Sequence, residues 1–264
     1  MNLKQLPGRQ DMTLRKAEAW KPPIFAPHSS GWGRVMATVR RFVDLQAGSL
    51  WNDLSQLLPT CHGTVLDVGC GAQPYRPLLP TDATYIGIDT ADALEHFGYE
   101  IPDTRYYHGD VWPVDDRSID FVLCTETLEH VSEPAPFLAQ VSRCLKTDGQ
   151  LLLTVPFAAR WHYIPYDYWR YTPSTLSRLL KEAGMREVAV YARGNVVTVA
   201  CYKVMAMILR LLLPQDRSPW VRLMLRLLGL PLLPVFGLLS LLGQASLRFD
   251  GGDDCLGYTV VALK

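Results

Sequence analysis

Short apolar runs alternate with helical segments along most of this chain, and that alternation limits the folds open to it. Strands that alternate with helices build a parallel sheet that is covered on both faces. We therefore expect an α/β fold with one parallel sheet. The strand candidates are residues 64–68, 84–89, 104–108, 119–124, 150–155, 187–191 and 257–263, with helical candidates near 74–79, 91–97, 134–145 and 173–183.

The composition is that of a globular protein with a sizeable core. Of the 264 residues, 48% are hydrophobic, and 26 basic side chains balance 26 acidic ones. A net charge of zero argues against a general nucleic-acid binder, which normally carries a basic face. The six cysteines are scattered without a C-x-x-C pair, and the N-terminus lacks the apolar run of a signal peptide. We therefore expect a protein of a reducing, cytoplasmic compartment.

A strand runs directly into a glycine turn at residues 65–71, Val-Leu-Asp-Val-Gly-Cys-Gly. Glycine lets the backbone approach a ligand closely, and Pro74 is placed to open a helix whose free N–H groups would face that ligand. Asp89 ends the second strand candidate, 22 residues after Asp67. A carboxylate at that place can accept both hydroxyls of a ribose. The pattern predicts a nucleoside-containing cofactor.

Dinucleotides and S-adenosylmethionine both use this arrangement, and two details choose between them. Pro74 stands where the dinucleotide fingerprint G-x-G-x-x-G has its third glycine. Asp67, ahead of the turn, suits a cationic amino acid group better than a pyrophosphate, which it would repel. Asp110 follows the third strand, where a carboxylate can accept from an adenine amino group. Three acids at the carboxyl edge of one sheet therefore predict an S-adenosylmethionine site.

Residues 64–155 resemble the class I S-adenosylmethionine-dependent methyltransferases, in the group that includes methyltransferase type 11 and the quinone-biosynthesis enzymes. The resemblance implies a Rossmann-like sheet of seven strands, mostly parallel, with an antiparallel last strand. The pieces that match are VLDVGCG (65–71), YIGID (85–89), GDVWPVDDRSIDFVLC (109–124), ETLEHVSEP (126–134) and LKTDGQLLLTVP (145–156). The cofactor-binding residues that we expect are Asp67, Gly69, Cys70 and Gly71 at the methionine end, Asp89 at the ribose, Asp110 and Val111 at the adenine, and Glu126.

Glu126, Glu129 and His130 follow the fourth strand and bring two carboxylates and an imidazole onto about one helical turn. With His162 they could form a metal site, since E-x-x-E-H binds metal in some related O- and RNA-terminal methyltransferases. A Glu-His pair at this place also caps the helix and shapes the pocket in relatives without metal, and we assign no metal here. His130 and His162 are the candidate general bases for a hydroxyl acceptor, because histidine titrates near neutral pH.

Seven of the seventeen residues 156–172 are Phe, Tyr or Trp. A loop this aromatic suggests a wall for an apolar or ring-shaped acceptor or a lid that excludes water, and simple packing on the sheet edge is the alternative. In relatives an H-x-x-P-x-D-x-x-R-Y/F-T pattern recurs at this place, and residues 162–172 match it. The candidate substrate-binding residues are Trp161, Tyr163, Asp167, Arg170 and Tyr171, although Asp167 and Arg170 are also placed to pair with each other.

Residues 201–248 carry six basic side chains against one acid, and they also hold the longest apolar runs. Prolines and glycines interrupt the uncharged run 227–243, which is barely long enough for a membrane span. Two shorter helices, near 198–213 and 218–230, are therefore favoured over a transmembrane helix. Basic pairs on a Leu-rich helix are typical of a membrane-surface element. A lid or a homodimer surface is the alternative.

Four regions follow from these patterns: an N-terminal arm with helices (1–60), a cofactor-binding core (61–193), a basic apolar helical insert (194–248) and a final core strand (249–264). We expect O-methylation of a small amphiphilic or hydrophobic acceptor, such as a quinone, a lipid-linked sugar or a secondary metabolite. The alternatives are N- or C-methylation by the same fold, a binding protein of this fold without catalysis, and a nicotinamide oxidoreductase. The expected location is the cytoplasm, peripheral on the inner face of the membrane.

Overall fold

The computed structural model describes residues 11–16, 18, 20, 31–92, 100–249 and 251–264. One sheet of seven strands forms its centre, in the order β3-β2-β1-β4-β5-β7-β6. Strand β7 runs antiparallel to β5 and β6, and the other neighbouring strands are parallel, as the sequence predicts. The strands are β1 (Thr64–Val68), β2 (Thr84–Thr90), β3 (Thr104–Tyr107), β4 (Ile119–Thr125), β5 (Leu145–Pro156), β6 (Arg186–Arg193) and β7 (Gly257–Leu263).

Seven α-helices surround the sheet in the described part of the chain. They are α1 (Gly31–Val43), α2 (Leu45–Leu57), α3 (Pro134–Cys144), α4 (Pro173–Glu182), α5 (Val196–Leu212), α6 (Pro219–Gly229) and α7 (Leu233–Ser246). Helix α4 begins as its sequence predicts, because the Thr172 side chain accepts from the Thr175 N–H and Pro173 stands in the first turn. Most of the helix predicted near 91–97 lies outside the described residues, as does most of the arm before residue 31.

The segment after the glycine turn is not the helix that the sequence predicts. Pro74 lies in a turn, and only a short 3-10 helix, Arg76–Leu78, follows it. Prolines at positions 74, 77 and 80 explain the difference, since each removes a backbone donor and crowds the preceding turn. The N–H groups that face a ligand here are therefore those of the glycine turn, and no α-helix begins at Pro74.

The insert contains three helices, one more than the sequence predicts. Pro231 and Pro234 stand in the first turns of a 3-10 helix and of α7, where a missing N–H leaves no bond unmade. Helix α7 runs back antiparallel along α5, because Ser246 lies beside Thr198 and Ser240 beside Met205. The prolines thus begin α7, and the apolar run that they interrupt is helical.

The base of the insert packs against the rest of the molecule. Leu45 on α2, Met205 on α5, Phe236 on α7 and Leu256 before β7 share one buried cluster. A Cβ added to Gly243 would lie 2.4 Å from the Leu45 Cδ1, so α7 and α2 are in close contact there. Full burial of an aliphatic side chain stabilises the folded state by about 1.5–3 kcal/mol. The insert is therefore held to the N-terminal helices by packing.

Candidate functional site

The glycine turn at the carboxyl end of β1 has a backbone that favours glycine. Gly69 has φ 68° and Gly71 has φ 47°. A Cβ at Gly69 would lie 2.4 Å from the Thr127 side chain, whereas a Cβ at Gly71 would meet no atom within 4 Å. The first glycine is thus required by packing, and the second borders open space. Cys70, 3% exposed, points its side chain into the protein.

Asp67 lies under this turn with an incomplete set of hydrogen bonds. Its carboxylate is 1% exposed, and Oδ2 accepts from the Tyr85 hydroxyl at 2.8 Å. The other oxygen, Oδ1, has no partner among the described residues. Burial raises the pKa of Asp67 to about 7. A buried acceptor without a donor is suited to a cationic amino group, which is what the methionine end of S-adenosylmethionine would present.

Asp89 and Asp110 follow β2 and β3 at the same edge of the sheet. Asp89 Oδ2 accepts from the Gly71 N–H at 2.9 Å, and Oδ1 accepts from the Thr90 N–H at 2.8 Å. These bonds fix the carboxylate beside the glycine turn, and burial raises its pKa. Asp110 is exposed, as is Val111, at 70%. The residues present therefore fit a cofactor that has an ammonium group, a ribose and an adenine.

Glu126 begins the opposite wall of the site in a left-handed conformation, φ 48°. Its Oε1 lies 2.7 Å from Nη2 of Arg193, at the end of β6. The Arg193 side chain is 1% exposed and also donates to the Val155 carbonyl at 3.2 Å. Glu126 thus forms an ion pair with the protein itself, and whether it also contacts the cofactor stays a prediction. Sequence reasoning missed Arg193, because no local pattern links residues this far apart.

Glu129, His130 and His162 lie together beside this wall, and we call them the Glu-His cluster. One potential ligand atom of each lies within 4.8 Å of those of the others. The Glu129 side chain is fully buried, and both its carboxylate oxygens have no hydrogen-bond partner among the described residues. Burial raises its pKa well above the usual value, with a smaller contribution from the negative charge of Glu126. The structure thus brings together the two predicted catalytic histidines.

Hydrogen bonds at Nδ1 define the tautomer of both imidazoles. His130 Nδ1 lies 2.8 Å from the Tyr166 carbonyl. His162 Nδ1 lies 3.0 Å from the Arg160 carbonyl and 3.0 Å from Asp167 Oδ2. Since these partners only accept, Nδ1 carries the proton and Nε2 is the basic nitrogen in each neutral ring. Burial lowers the pKa of His130, which favours that neutral ring.

The predicted acceptor loop contacts itself and the Glu-His cluster more than it faces solvent. Asp167 is buried and pairs with Arg170 at 2.6 and 2.8 Å, which, with the His162 contacts, lowers its pKa. Tyr171 is 2% exposed in the main core, and its hydroxyl donates to the Leu128 carbonyl. These three residues therefore pack and orient the loop. Tyr163, whose ring centroid lies 4.9 Å from that of His130, and half-buried Trp161 are the two predicted substrate residues nearer the open side.

Glu18 is a further residue of the site that sequence reasoning missed. Its Oε2 accepts from Arg160 Nη1 at 2.6 Å, and its Oε1 accepts from the Tyr163 N–H at 2.8 Å. Nearby, the Trp20 indole donates to the Leu213 carbonyl at the end of α5. This part of the arm therefore connects the aromatic loop with the insert. Its composition, rich in proline and poor in periodicity, gave no signal for such contacts.

The fold and the acids at one sheet edge define a protein that binds S-adenosylmethionine, and comparison with known proteins agrees. A family model described as a methyltransferase domain matches residues 39–190, more than half of the chain. The chain belongs to this family of S-adenosylmethionine-dependent methyltransferases, and S-adenosylmethionine is its cofactor. The matched range contains the glycine turn, the three acids and the Glu-His cluster.

Individual relatives are more distant. The chain is 27% identical over 168 residues to a ubiquinone biosynthesis O-methyltransferase of Dinoroseobacter shibae, which covers 54% of this chain and 67% of that protein. A crystal structure of an S-adenosylmethionine-dependent methyltransferase from Archaeoglobus fulgidus matches with a TM-score of 0.50 at 17% identity, over 87% of this chain and 99% of that one. A Haemonchus contortus phosphoethanolamine N-methyltransferase 2, in complex with S-adenosyl-L-methionine, matches with a TM-score of 0.48 at 15% identity. That match covers 81% of this chain, which spans only 52% of the Haemonchus protein.

Proposed function

We propose that the protein transfers a methyl group from S-adenosylmethionine to a hydroxyl oxygen of a small amphiphilic acceptor. The observation that carries this proposal is the pair of neutral imidazoles in the Glu-His cluster. Each has Nδ1 held by an acceptor of the protein, so that Nε2 is the proton-accepting atom. A hydroxyl oxygen becomes a good nucleophile as it loses its proton, and a base that is oriented in advance serves that step.

Positioning contributes more to this reaction than proton removal does. The cofactor supplies an activated methyl group on a sulfonium, so the chain needs mainly to align the acceptor oxygen in line with it. Alignment of this kind is worth about 7–11 kcal/mol. A general base that gives about 10²–10⁴-fold is worth roughly 3–5 kcal/mol. We therefore expect loss of one imidazole to slow turnover and loss of the cofactor-binding residues to abolish it.

The aromatic loop supports a ring-shaped acceptor. Burial, with a smaller contribution from the negative charge of Asp89, raises the pKa of Tyr163 to about 12. Tyr163 thus lies between the predicted ribose carboxylate and the His130 ring. The Tyr166, Tyr168 and Trp169 rings nearby are each more than 40% exposed, so the loop offers apolar surface to a ligand. A ring hydroxyl, as on a quinone precursor, fits this surface and the name of the Dinoroseobacter relative better than a lipid-linked sugar does.

We also propose that the insert lies on an anionic membrane surface, where an amphiphilic acceptor would be found. Within the described residues, Pro219–Ser246 is the one helical stretch long and apolar enough to cross a membrane, and 11% of its most apolar window is buried. By length and composition alone this is weak evidence for a span. Trp220 is 77% exposed and Leu228 is 65% exposed, and basic side chains flank them. Apolar side chains beside arginines match the interface between acyl chains and anionic head groups.

This arrangement supports a peripheral protein on the cytoplasmic face of the membrane. The insert lies next to the aromatic loop through the Trp20 contact and through Lys203, which donates to the Ala158 carbonyl. An acceptor with an apolar tail could therefore keep that tail in the membrane while its ring reaches the Glu-His cluster. A lid or a homodimer surface made by the same helices is the competing arrangement.

Methyl transfer from radiolabelled S-adenosylmethionine tests the proposed reaction. The panel is a catechol with a long alkyl tail, the same ring without the tail, and an amine with the same tail, each in detergent micelles. We expect label on the tailed catechol. His130→Ala and His162→Ala should each retain cofactor binding, and at least one should lower turnover more than tenfold. His62→Ala, at an exposed histidine far along the chain from the cluster, is the matched control.

Two results would reject this function. Label on the amine and not on the catechol would show that the acceptor atom is nitrogen. Full activity in both histidine variants would show that neither imidazole is the base, and the acceptor would then lose its proton without help from these side chains.

A further inference from the structure

The Glu-His cluster contains a carboxylate whose surroundings are incomplete. Glu129 is fully buried, yet neither of its oxygens has a hydrogen-bond partner among the described residues. The Tyr168 and Trp169 N–H groups nearby donate to its backbone carbonyl, at 2.9 and 3.3 Å, and not to its side chain. Buried polar atoms are almost always satisfied, because leaving them without a partner costs free energy. The two oxygens therefore point to a group that is not part of the chain.

The charged neighbours do not supply that group. Arg170, the nearest cation to act on Glu129, uses its guanidinium on Asp167 at 2.6 and 2.8 Å. His130 Nε2 lies 3.6 Å from Glu129 Oε1, beyond hydrogen-bond distance. Glu126 does not belong to this cluster, because it pairs with Arg193. What faces Glu129 is therefore a pair of imidazoles and no committed cation.

Both imidazoles are oriented as metal ligands are. A histidine that binds a metal through one nitrogen almost always donates its other N–H to a carbonyl or a carboxylate. His130 Nδ1 has the Tyr166 carbonyl at 2.8 Å, and His162 Nδ1 has Asp167 Oδ2 at 3.0 Å. Asp167 is itself held by Arg170, so the outer partner of His162 is fixed as well. The two Nε2 atoms are left as the ligand atoms.

We propose that Glu129, His130 and His162 bind one divalent transition-metal ion of the zinc type. One potential ligand atom of each residue lies within 4.8 Å of those of the other two, close enough to converge on one ion. Two imidazoles and one carboxylate are a common set for catalytic zinc and related ions, and they leave positions open for other ligands. This inference goes beyond the proposed function, which needs only an imidazole base. A bound ion would add a positive charge that lowers the pKa of a hydroxyl placed on it.

Cobalt binding tests the site directly, because Co²⁺ replaces Zn²⁺ and its absorption spectrum reports the ligands. Purified full-length protein is stripped with a chelator, titrated with CoCl₂, and analysed for metal content after reconstitution with ZnCl₂. We expect one ion per chain. Loss of an outer partner weakens metal binding by about 10–100-fold, so loss of a ligand should weaken it by roughly 100-fold or more. All six cysteines are buried, which keeps thiolates from competing at the surface of the folded protein.

The variants are chosen to keep the fold. Glu129→Gln has the same shape and removes the anionic ligand, and His162→Asn, at a partly exposed position, is the second variant should the first misfold. His62→Asn is the matched control and should bind like the unaltered protein. The site is rejected if the unaltered protein takes up less than a tenth of an equivalent, or if both cluster variants bind cobalt as tightly as it does.

The result can be told apart from failure of the proposed function. Methyl transfer that proceeds at full rate in chelated protein without cobalt binding would reject the metal site and leave the imidazole base. Stoichiometric cobalt binding without any methyl transfer to the tailed catechol would keep the metal site and reject the acceptor.

Discussion

At the scale of single residues, the two glycines of the cofactor turn serve different ends. Gly69→Ala places a methyl group 2.4 Å from Thr127 at φ 68°, so both clash and backbone strain oppose it. Gly71→Ala meets no atom within 4 Å, so only the strain of its φ of 47° remains, about 1–2 kcal/mol. We expect thermal unfolding to show the larger loss for Gly69→Ala. Both variants should lose S-adenosylmethionine binding in calorimetry, and tight binding by Gly71→Ala would show that the open space is not the cofactor's.

The raised pKa of Asp67 makes cofactor affinity depend on pH. In the free protein this carboxyl titrates near 7, because it is buried. The ammonium group of the cofactor pairs with the ionised form, so below pH 7 binding must first release a proton. Affinity should therefore fall by up to about tenfold per pH unit below 7 and level off above it. Calorimetry in buffers of different ionisation enthalpy measures the proton released at pH 6.5, and Asp67→Asn should bind weakly with no such release.

The same pKa affects stability with a definite sign. An unfolded Asp titrates near 3.9 and the folded one near 7, so between these values the folded state binds more protons. Folding stability that depends on Asp67 is therefore present at low pH and is lost as pH rises from about 4 to 7. Without ligand, Asp67→Asn should gain stability relative to the unaltered protein over that range.

The sequence predicts those site residues that stand at fixed offsets from strand ends. Asp67, Asp89 and Asp110 all follow that logic, because carboxyl ends of parallel strands meet at one edge. Arg193 and Glu18 do not, since each reaches the site through a side chain from a distant segment. Whether a residue such as Tyr171 faces the ligand or the core also depends on packing that no local pattern contains.

At the scale of elements, the Glu126–Arg193 pair joins the ends of β4 and β6 across β5. The pair is asymmetric, because the Arg193 side chain is 1% exposed and the Glu126 side chain 30%. Glu126→Gln leaves a buried cation without its counter-charge and should cost roughly 3 kcal/mol. Arg193→Met leaves a carboxylate that water can reach and should cost less. Urea unfolding measures both, and the double variant should lose less stability than the sum of the two, whereas strict additivity would contradict the coupling.

Proline is the residue whose effect on the elements the sequence predicts least well. Between residues 74 and 80 three prolines prevent the expected helix, whereas Pro231 and Pro234 begin one. The chemistry is the same in both places: proline lacks an N–H and fits only the first turn of a helix. The outcome depends on spacing, since prolines three residues apart leave no room for an uninterrupted turn.

At the scale of the whole molecule, strand order was predictable and the role of the insert was not. The order of the sheet follows from a family resemblance that covers residues 64–155, and the described structure confirms it. The insert lies outside that range, and its exposed apolar side chains fit a membrane, a lid or a second chain by composition alone. Its position relative to the aromatic loop, which favours the membrane, becomes apparent only in three dimensions.

Vesicle binding decides between those roles for the insert. Each basic side chain near an anionic surface contributes about 1 kcal/mol, so Arg222→Gln with Arg226→Gln should weaken binding to phosphatidylglycerol vesicles roughly 30-fold at low salt. Trp220→Ala should weaken binding at both low and high salt, because apolar contact is not screened. Arg178→Gln with Lys181→Gln removes two exposed charges from α4 and is the matched control. Flotation measures all of these, and equal losses in the α6 and α4 pairs would mean that net charge, and not the insert, governs binding. A protein that stays off anionic vesicles altogether, and elutes as a dimer, would assign these helices to a second copy of the chain.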